Sequence, residues 1–181
     1  AAKHVDTGMG FERICSVLQQ KVSNYDTDIF TPLIEKVAEL SGRSYDGNDA
    51  IAMRVIADHV RTLSIAISDG VLPSNDGRGY VLRRLLRRAV RYGRNLGFKQ
   101  PFLCDLFPTL EVQLGKIFPE LVNQRDTIIR ALMNEEESFS KTLDRGITRF
   151  EKVASSLSDG SDFPGEEAFS LYDTYGFPFD L

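Results

Sequence analysis

The chain has 181 residues, a formal net charge of −4 and 42% hydrophobic residues, which is enough for one globular domain or two small ones. No apolar stretch is long enough to span a bilayer, and the pattern of the first residues does not predict a signal peptide. Cys15 and Cys104 have no Cys or His nearby at metal-ligand spacing, which disfavours a disulfide framework and a zinc site. We therefore expect two buried thiols in a reducing cytoplasm.

The positive charge is gathered in one segment. Eight of the 22 Lys and Arg residues lie between Gly77 and Gln100, where there is no Asp or Glu. The net charge thus divides into about +8 in this segment and about −12 elsewhere, since 14 basic residues remain against 26 acidic ones. Clustering of this kind allows an acidic protein to bind phosphates. Nucleic acid is the first partner that the sequence predicts.

Helix signals dominate the first third of the chain. Apolar residues at helical spacing predict one helix over Gly10–Val22 and a second that ends near Gly42, with Asp26 or Thr27 as its N-cap. A third helix follows a turn and stops at Asp69-Gly70.

The rest of the chain is also mainly helical. A loop rich in Gly, Pro, Asn and Asp leads into an Arg-rich helix that ends about Gly97, and residues 102–118, broken by prolines, predict one or two short helices. The longest periodic segment follows Pro119, and a short last helix covers Gly165–Tyr175. Strand signals are nearly absent, apart from a short extended entry at His4–Asp6. The predicted fold class is mainly α, with a strand-turn-helix at the N-terminus.

The string DTGMGFERI, residues 6–14, places two glycines ahead of a helix. Gly8 and Gly10 let the backbone approach a ligand closely and present free N–H groups at the positive end of the helix. Arg13 in the first turn could then fix a phosphate oxygen. Gly-x-Gly before a helix also occurs as a simple turn, and the residues alone favour the turn. Glu12 is most simply a first-turn acid favoured by the helix dipole.

The Arg-rich helix has two faces. Its arginines on adjoining rows are Arg83, Arg84, Arg87, Arg88, Arg91 and Arg94, with Arg78 in the first turn. Its apolar face consists of Val81, Leu82, Leu85, Leu86, Ala89 and Val90. A solvated basic face with internal salt bridges is one interpretation. RNA binding is the other, because phosphates relieve the repulsion of an uninterrupted like-charge surface. We expect two or three arginines to touch RNA and the others to pair internally.

Two polar residues near helix ends stand out. Asn75, in the loop before the Arg-rich helix, is by its local sequence a turn former or a helix cap. Gly176 and Pro178 predict a helix stop that places Asp173 in the last turn, where its charge opposes the helix dipole at a cost of roughly 0.3–1 kcal/mol if exposed. Asp173 also lies off the apolar stripe of that helix, which consists of Ala168, Leu171, Tyr172 and Tyr175. Because Asp173 contributes neither to the helix nor to its apolar stripe, we expect it to have a functional role.

The sequence carries the motifs of a known family. Gly-Met-Gly-Phe-Glu-Arg before an apolar helix resembles motif 3 of class II aminoacyl-tRNA synthetases, and DTGMGFERI is similar to its form in the alanyl-tRNA synthetase family. The agreement continues through SNYDTDIF, RVIADHVR, DGVLPSNDGRGYVLRRLLRRAVRYGRNLGF, NEEESFSKTL and LYDTYGFPFDL, nearly the whole chain. The resemblance implies that residues 1–24 end a class II catalytic domain and that residues 25–181 form a helical domain for the tRNA acceptor stem.

The resemblance also implies site roles. Arg13 would contact the ATP phosphates beside Gly10, Asp6 would pair with the ammonium group of alanine, and Gly8 would help keep that pocket small. ATP would act with Mg²⁺ in the parent enzyme, and no metal site is expected within this chain. These roles agree with the residue types, because a guanidinium suits a polyphosphate and a carboxylate suits an ammonium.

The resemblance also implies a role for Asn75 and Asp173, because the matching residues of the family read a G·U wobble pair in the acceptor stem. Such a pair leaves the guanine 2-amino group unpaired in the accessible minor groove of A-form RNA. A carboxylate can accept from that donor, while an Asn amide offers both donor and acceptor. Contacts with the tRNA backbone would come from the arginines Arg78, Arg83, Arg84, Arg87, Arg88 and Arg91.

Two hypotheses for the whole chain remain. The first is an internal fragment of a ligase that joins alanine to tRNA(Ala); motifs 1 and 2 would precede Ala1, so we expect no alanyl-adenylate from the fragment alone. The second is a freestanding helical RNA-binding protein without ligase activity. The residues do not predict the oligomeric state.

Overall fold

The computed structural model describes residues 8–158 and 160–176, which form eight α-helices and no strand. In chain order these are α1 (Phe11–Leu18), α2 (Thr31–Ser41), α3 (Gly47–Ser68), α4 (Gly77–Asn95), α5 (Leu103–Leu114), α6 (Pro119–Asn123), α7 (Arg125–Ala154) and α8 (Gly165–Tyr175). A 3₁₀ turn at Asn24–Asp26 joins α1 to α2. The predicted mainly α fold is confirmed. The extended entry predicted at His4–Asp6 lies outside the described residues.

Helix α3 lies at the centre of the hydrophobic core. It packs against α2, α4, α5, α6 and α7, and its most extensive contact is with α4. Its buried side chains recur at the spacing of one helical face, and they include Met53, Ile56, Val60, Leu63 and Ile67. The core thereby fixes α4 and α7 side by side, and these two helices carry the charged groups discussed below.

The connection between α1 and α2 differs from the prediction. α1 ends at Leu18, and Gln20 beyond it has a positive φ of 54°. Neither Asp26 nor Thr27 caps α2, because the chain first makes the 3₁₀ turn. Within it the Thr27 hydroxyl donates to the Asn24 carbonyl oxygen at 2.6 Å. The N-cap position of α2 is Phe30, three residues beyond Thr27, so neither predicted residue lies at the start of the helix.

Helix α5 depends on a side chain from α7. The region predicted to hold one or two short helices forms α5, which continues through Pro108 even though proline lacks the N–H of a regular helix. Its first N–H groups, those of Phe102 and Leu103, donate to Oε1 and Oε2 of Glu136 at 3.0 Å each. Glu136 is only 1% exposed. A distant buried carboxylate therefore completes this helix terminus.

Both cysteines are free and partly buried. Burial raises the pKa of the Cys104 thiol to about 11, with help from the nearby carboxylates of Asp105 and Glu136. A thiol that stays protonated at neutral pH is a poor nucleophile. No helix in the described ranges is both long and apolar enough to cross a membrane.

Candidate nucleic-acid interface

The arginines of α4 differ in exposure. Arg78, Arg84 and Arg88 are exposed, whereas Arg83, Arg87, Arg91 and Arg94 are partly buried. The buried apolar face is formed by Leu82, Leu86, Ala89 and Val90. Val81, predicted for that face, is 54% exposed. It precedes Arg84 by three residues, nearly a full turn, and so lies on the arginine side of the helix.

Two partly buried arginines, one helical turn apart, face Glu135 of α7. The Nε of Arg83 lies 2.8 Å from Oε1 of Glu135, and its Nη2 donates to Oε2 at 3.1 Å. The Nε of Arg87 lies 3.8 Å from the same Oε1, and its guanidinium covers the ring of Phe139 at 5.1 Å from the centroid. Burial lowers the pKa of Arg87, and the charge of Glu135 opposes that change.

Farther along α4, Arg94 pairs with Asp144 of α7 at 3.0 Å. Arg83, Arg87 and Arg94 therefore pair internally, as expected for part of the set. That the exposed arginines touch RNA stays a prediction.

The outer face of α4 combines cations with aromatic rings. The guanidinium of Arg84 lies 5.9 Å from the centroid of Tyr80, and that of Arg88 lies 5.8 Å from the centroid of Tyr92. Cation–π contacts of this kind are modest at exposed sites, but they restrict the side chains. Exposed cations interleaved with aromatic rings are typical of surfaces that follow a nucleic-acid backbone.

Asn75 lies in the exposed loop that enters α4. Its Oδ1 accepts a hydrogen bond from Nη1 of Arg83. The N-cap position of α4 is Asp76, which makes no capping bond through its side chain. Asn75 is thus not the helix cap that its local sequence suggested. Its amide is placed by an arginine that also contacts α7.

Asp173 is exposed in the last turn of α8, where the sequence predicted it. α8 packs on α7 and is tied to it by Arg149, whose Nε and Nη2 donate to the carboxylate of Glu167 at 2.7 and 3.0 Å. The helix ends at Gly176, which has a φ of 67°. The Arg87 guanidinium lies against this glycine, so that a Cβ there would be 2.7 Å from Nη1. The end of α8 that carries Asp173 therefore meets α4 at Arg87.

The structure brings the Asn75 loop and the Asp173 helix end to neighbouring arginines of α4. Asn75 contacts Arg83, and the terminus of α8 contacts Arg87. Glu135, which faces both arginines, escaped the sequence analysis because it lies 52 residues beyond Arg83 in a helix of mixed charge. The one available signal was the acidic run NEEES within an otherwise mixed segment.

The motif 3 residues lie at the start of α1. Asp6 is outside the described residues, Gly8 is exposed, Gly10 occupies the N-cap position, and Arg13 is exposed in the first turn. An open groove of about 530 Å³ runs past them, lined by Gly8, Met9, Gly10, Arg13, Ile14, Val17 and Leu18. A guanidinium beside free helix N–H groups is suited to a phosphate.

Glu12 joins α1 to the core. Its Oε1 accepts from Nη2 of Arg61 on α3, and that hydrogen bond lowers the pKa of Glu12. This structural role agrees with its interpretation as a first-turn acid. Among residues 8–158 and 160–176, no group of three or more His, Cys, Asp or Glu side chains could hold a metal ion.

Comparison with known proteins gives consistent matches over the whole chain. The model of the family "tRNA synthetases class II (A)" matches residues 1–181. Proteins named alanine–tRNA ligase from Chlorobium chlorochromatii, Akkermansia muciniphila and Bacteroides fragilis are 57%, 52% and 52% identical to it. Each match covers 99% of this chain but only 21%, 22% and 21% of the relative. The chain thus spans about a fifth of the length of these curated relatives.

Proposed function

The chain belongs to the class II (A) tRNA synthetases, and we propose on this basis that it is part of a cytoplasmic alanine–tRNA ligase. The whole enzyme would activate alanine with ATP and Mg²⁺ and transfer it to tRNA(Ala). A freestanding RNA-binding protein is not favoured, because the similar proteins are alanine–tRNA ligases. Residues 1–24 would end the catalytic domain, and residues 25–181 would bind the acceptor stem.

In the catalytic part, we assign the ATP phosphates to Arg13 and to the backbone at Gly10. The exposure of Arg13 beside the N-terminus of α1 supports this role. Asp6 would pair with the ammonium group of alanine, since its carboxylate is the complementary charge. Gly8, without a side chain, would keep that pocket small.

The RNA-binding part is supported by one observation, the convergence of the Asn75 loop and the Asp173 helix end on adjacent arginines of α4. Asn75 and Asp173 would read a G·U pair in the minor groove. Replacing G·U by G·C engages the guanine amino group and leaves the carboxylate without its donor, which disfavours binding. The arginines of α4 would either attract the RNA phosphates or support the two readers; they are Arg78, Arg83, Arg84, Arg87, Arg88 and Arg91.

Binding of two acceptor-stem hairpins, one with G·U and one with G·C, tests this proposal in the full-length protein. Asn75→Ala and Asp173→Ala should each remove roughly 1–3 kcal/mol of the preference for G·U, because each deletes a base-edge contact. Affinity for the G·C hairpin should change little. Titrations with fluorescently labelled hairpins give both dissociation constants.

Matched controls are Asn123→Ala and Asp162→Ala, which delete an exposed amide and an exposed carboxylate elsewhere. Both should keep the G·U preference. An equal loss of affinity for the two hairpins in Asn75→Ala and Asp173→Ala would show that these side chains only position the RNA backbone.

A further inference from the structure

We propose that Glu135 is a positioning residue that holds both predicted readers, Asn75 and Asp173, in the geometry needed to discriminate the wobble pair. This inference rests on the proposed function, and it concerns a residue that touches no RNA itself. Glu135 acts through two arginines of α4, each of which supports one reader.

The first link runs through Arg83 to Asn75. Glu135 lies on α7 with its side chain 14% exposed, and both of its oxygens face one edge of the Arg83 guanidinium, at 2.8 Å from Nε and 3.1 Å from Nη2. The remaining nitrogen, Nη1, donates to Oδ1 of Asn75. Of the two facing nitrogens, Nη2 is hydrogen-bonded to Glu135, whereas Nε is held by the ion pair alone. Because a guanidinium is planar and rigid, holding this edge sets the direction of Nη1. Glu135 thereby orients the group that places the Asn75 amide.

The second link runs through Arg87 to the end of α8. The Nε of Arg87 lies 3.8 Å from Oε1 of Glu135, and its Nη1 lies against Gly176. Gly176 has a φ of 67°, which favours glycine, and a Cβ there would lie 2.7 Å from that nitrogen and displace the guanidinium. A cation at the C-terminus of a helix is also favourable to the helix dipole. Arg87 therefore supports the last turn of α8, which contains Asp173.

Glu135 also relieves repulsion between the two arginines. Arg83 and Arg87 are one turn apart on α4, a spacing at which like charges destabilise a helix. Both guanidinium groups are partly buried, so water screens their repulsion incompletely. A carboxylate between them compensates part of this charge. Without it the two side chains would separate, and both readers would lose their fixed supports.

The test is Glu135→Gln in the full-length protein, with Asp144→Asn as the matched control. Both substitutions remove one negative charge from α7, and each breaks an ion pair with α4. The partner of Asp144 is Arg94, however, which contacts neither reader, whereas Glu135 pairs with Arg83 and Arg87. Glu135→Gln should reduce the ratio of G·U to G·C affinity about tenfold, equivalent to about 1.4 kcal/mol. Its affinity for the G·C hairpin should be unchanged or slightly higher. Asp144→Asn should keep the ratio.

A second variant guards against a folding defect in Glu135→Gln. Arg83→Lys retains the positive charge, but a single ammonium cannot hold Glu135 and Asn75 in one rigid plane. It should lose most of the discrimination while its thermal unfolding stays close to that of the parent. A folded Arg83→Lys variant with full discrimination would overturn the proposal.

Double variants distinguish positioning from a general loss of structure. If Glu135 acts through the readers, Glu135→Gln should have no further effect on the affinity ratio in a protein that already carries Asn75→Ala and Asp173→Ala. A full additional loss in that background refutes the inference.

The inference and the proposed function can fail separately. If Asn75→Ala and Asp173→Ala abolish the G·U preference while Glu135→Gln keeps it, only the role of Glu135 is wrong. If Asn75→Ala and Asp173→Ala both keep the preference, the proposed readers and the role of Glu135 are both wrong.

Discussion

Glu136 stabilises the fold, whereas its neighbour in sequence, Glu135, is proposed to support recognition of the wobble pair. Its two oxygens accept the first N–H groups of α5, and it is almost fully excluded from water. Burial raises its pKa to about 7; the two backbone hydrogen bonds oppose this rise, Asp105 adds to it, and Arg94 opposes it. The folded chain therefore binds this proton more tightly than the unfolded chain does.

A pH dependence of stability follows from that difference. The unfolded carboxyl has the ordinary pKa of 4.5, so between pH 4.5 and about 7 the folded state holds more protons than the unfolded state. The free energy of unfolding should fall across this window as pH rises, by about 2–3 kcal/mol. Urea unfolding followed by circular dichroism at pH 5, 6, 7 and 8 measures this fall.

Glu136→Gln is the control for this prediction. The amide cannot titrate, so its profile should lack the fall between pH 5 and 7, although the variant is less stable because its NH₂ group faces a backbone N–H. Glu12 and Glu167, whose pKa values are lowered by Arg61 and Arg149, affect stability only at more acidic pH. Parallel profiles for the two proteins would rule Glu136 out as the cause.

Single residues were predictable where their signals were local. Asp173 lies in the last turn of its helix because Gly176 adopts a left-handed conformation there, and the sequence shows that glycine directly. The partners of Arg83 and Arg87 were not predictable, because Glu135 reaches them only after α3 has fixed α4 beside α7. Sequence motifs identify candidate readers, whereas the packing of helices identifies what holds them.

At the scale of elements, the contact between α4 and the loop before it depends on Gly79. A Cβ at this buried position would collide with the Leu72 carbonyl oxygen and with Oγ of Ser74. The backbone oxygen cannot move without displacing the loop that carries Asn75. Gly79→Ala should lower the free energy of unfolding by about 1–3 kcal/mol. It should also weaken the preference for the G·U hairpin.

Gly165→Ala is the matched control for that substitution. A Cβ at Gly165 would have no neighbour within 4 Å, and its φ is not positive. Alanine there should leave stability unchanged or raise it by about 0.4–1 kcal/mol, because it restricts the unfolded chain. Thermal unfolding of the two variants decides the matter. If Gly79→Ala is as stable as Gly165→Ala, the contact between α4 and the loop before it does not require a glycine at position 79.

Helix ends were predictable where a glycine or proline marks them. The stop of α3 at Asp69-Gly70 and the bounds of α8 are confirmed, because Gly and Pro act locally on the backbone. Faces depend on neighbours. Val81 is exposed, and of the apolar stripe predicted for α8 only Leu171 is buried. Short helices with few partners show apolar residues that a pattern alone would place in a core.

At the scale of the molecule, an acidic chain presents a basic surface on one helix. After internal pairing, Arg78, Arg84 and Arg88 remain exposed. Arginines that face phosphates supply affinity and register but little sequence information. The Asn75 loop and the end of α8 contact α4 at Arg83 and Arg87, on the side of α4 that faces α7. Attraction and discrimination should therefore respond to different substitutions.

The salt dependence of hairpin binding measures the electrostatic attraction between the exposed arginines of α4 and the RNA phosphates. Arg84→Ala and Arg88→Ala should each weaken binding of the G·U and G·C hairpins to the same extent. Each should also reduce the slope of log affinity against log salt concentration by about 0.7–0.9, the value for one lost phosphate contact. Arg43→Ala, which removes an exposed charge between α2 and α3, should leave the slope unchanged. If Arg43→Ala flattens the slope as much as Arg84→Ala does, net charge drives the binding and the basic surface of α4 is not the RNA contact.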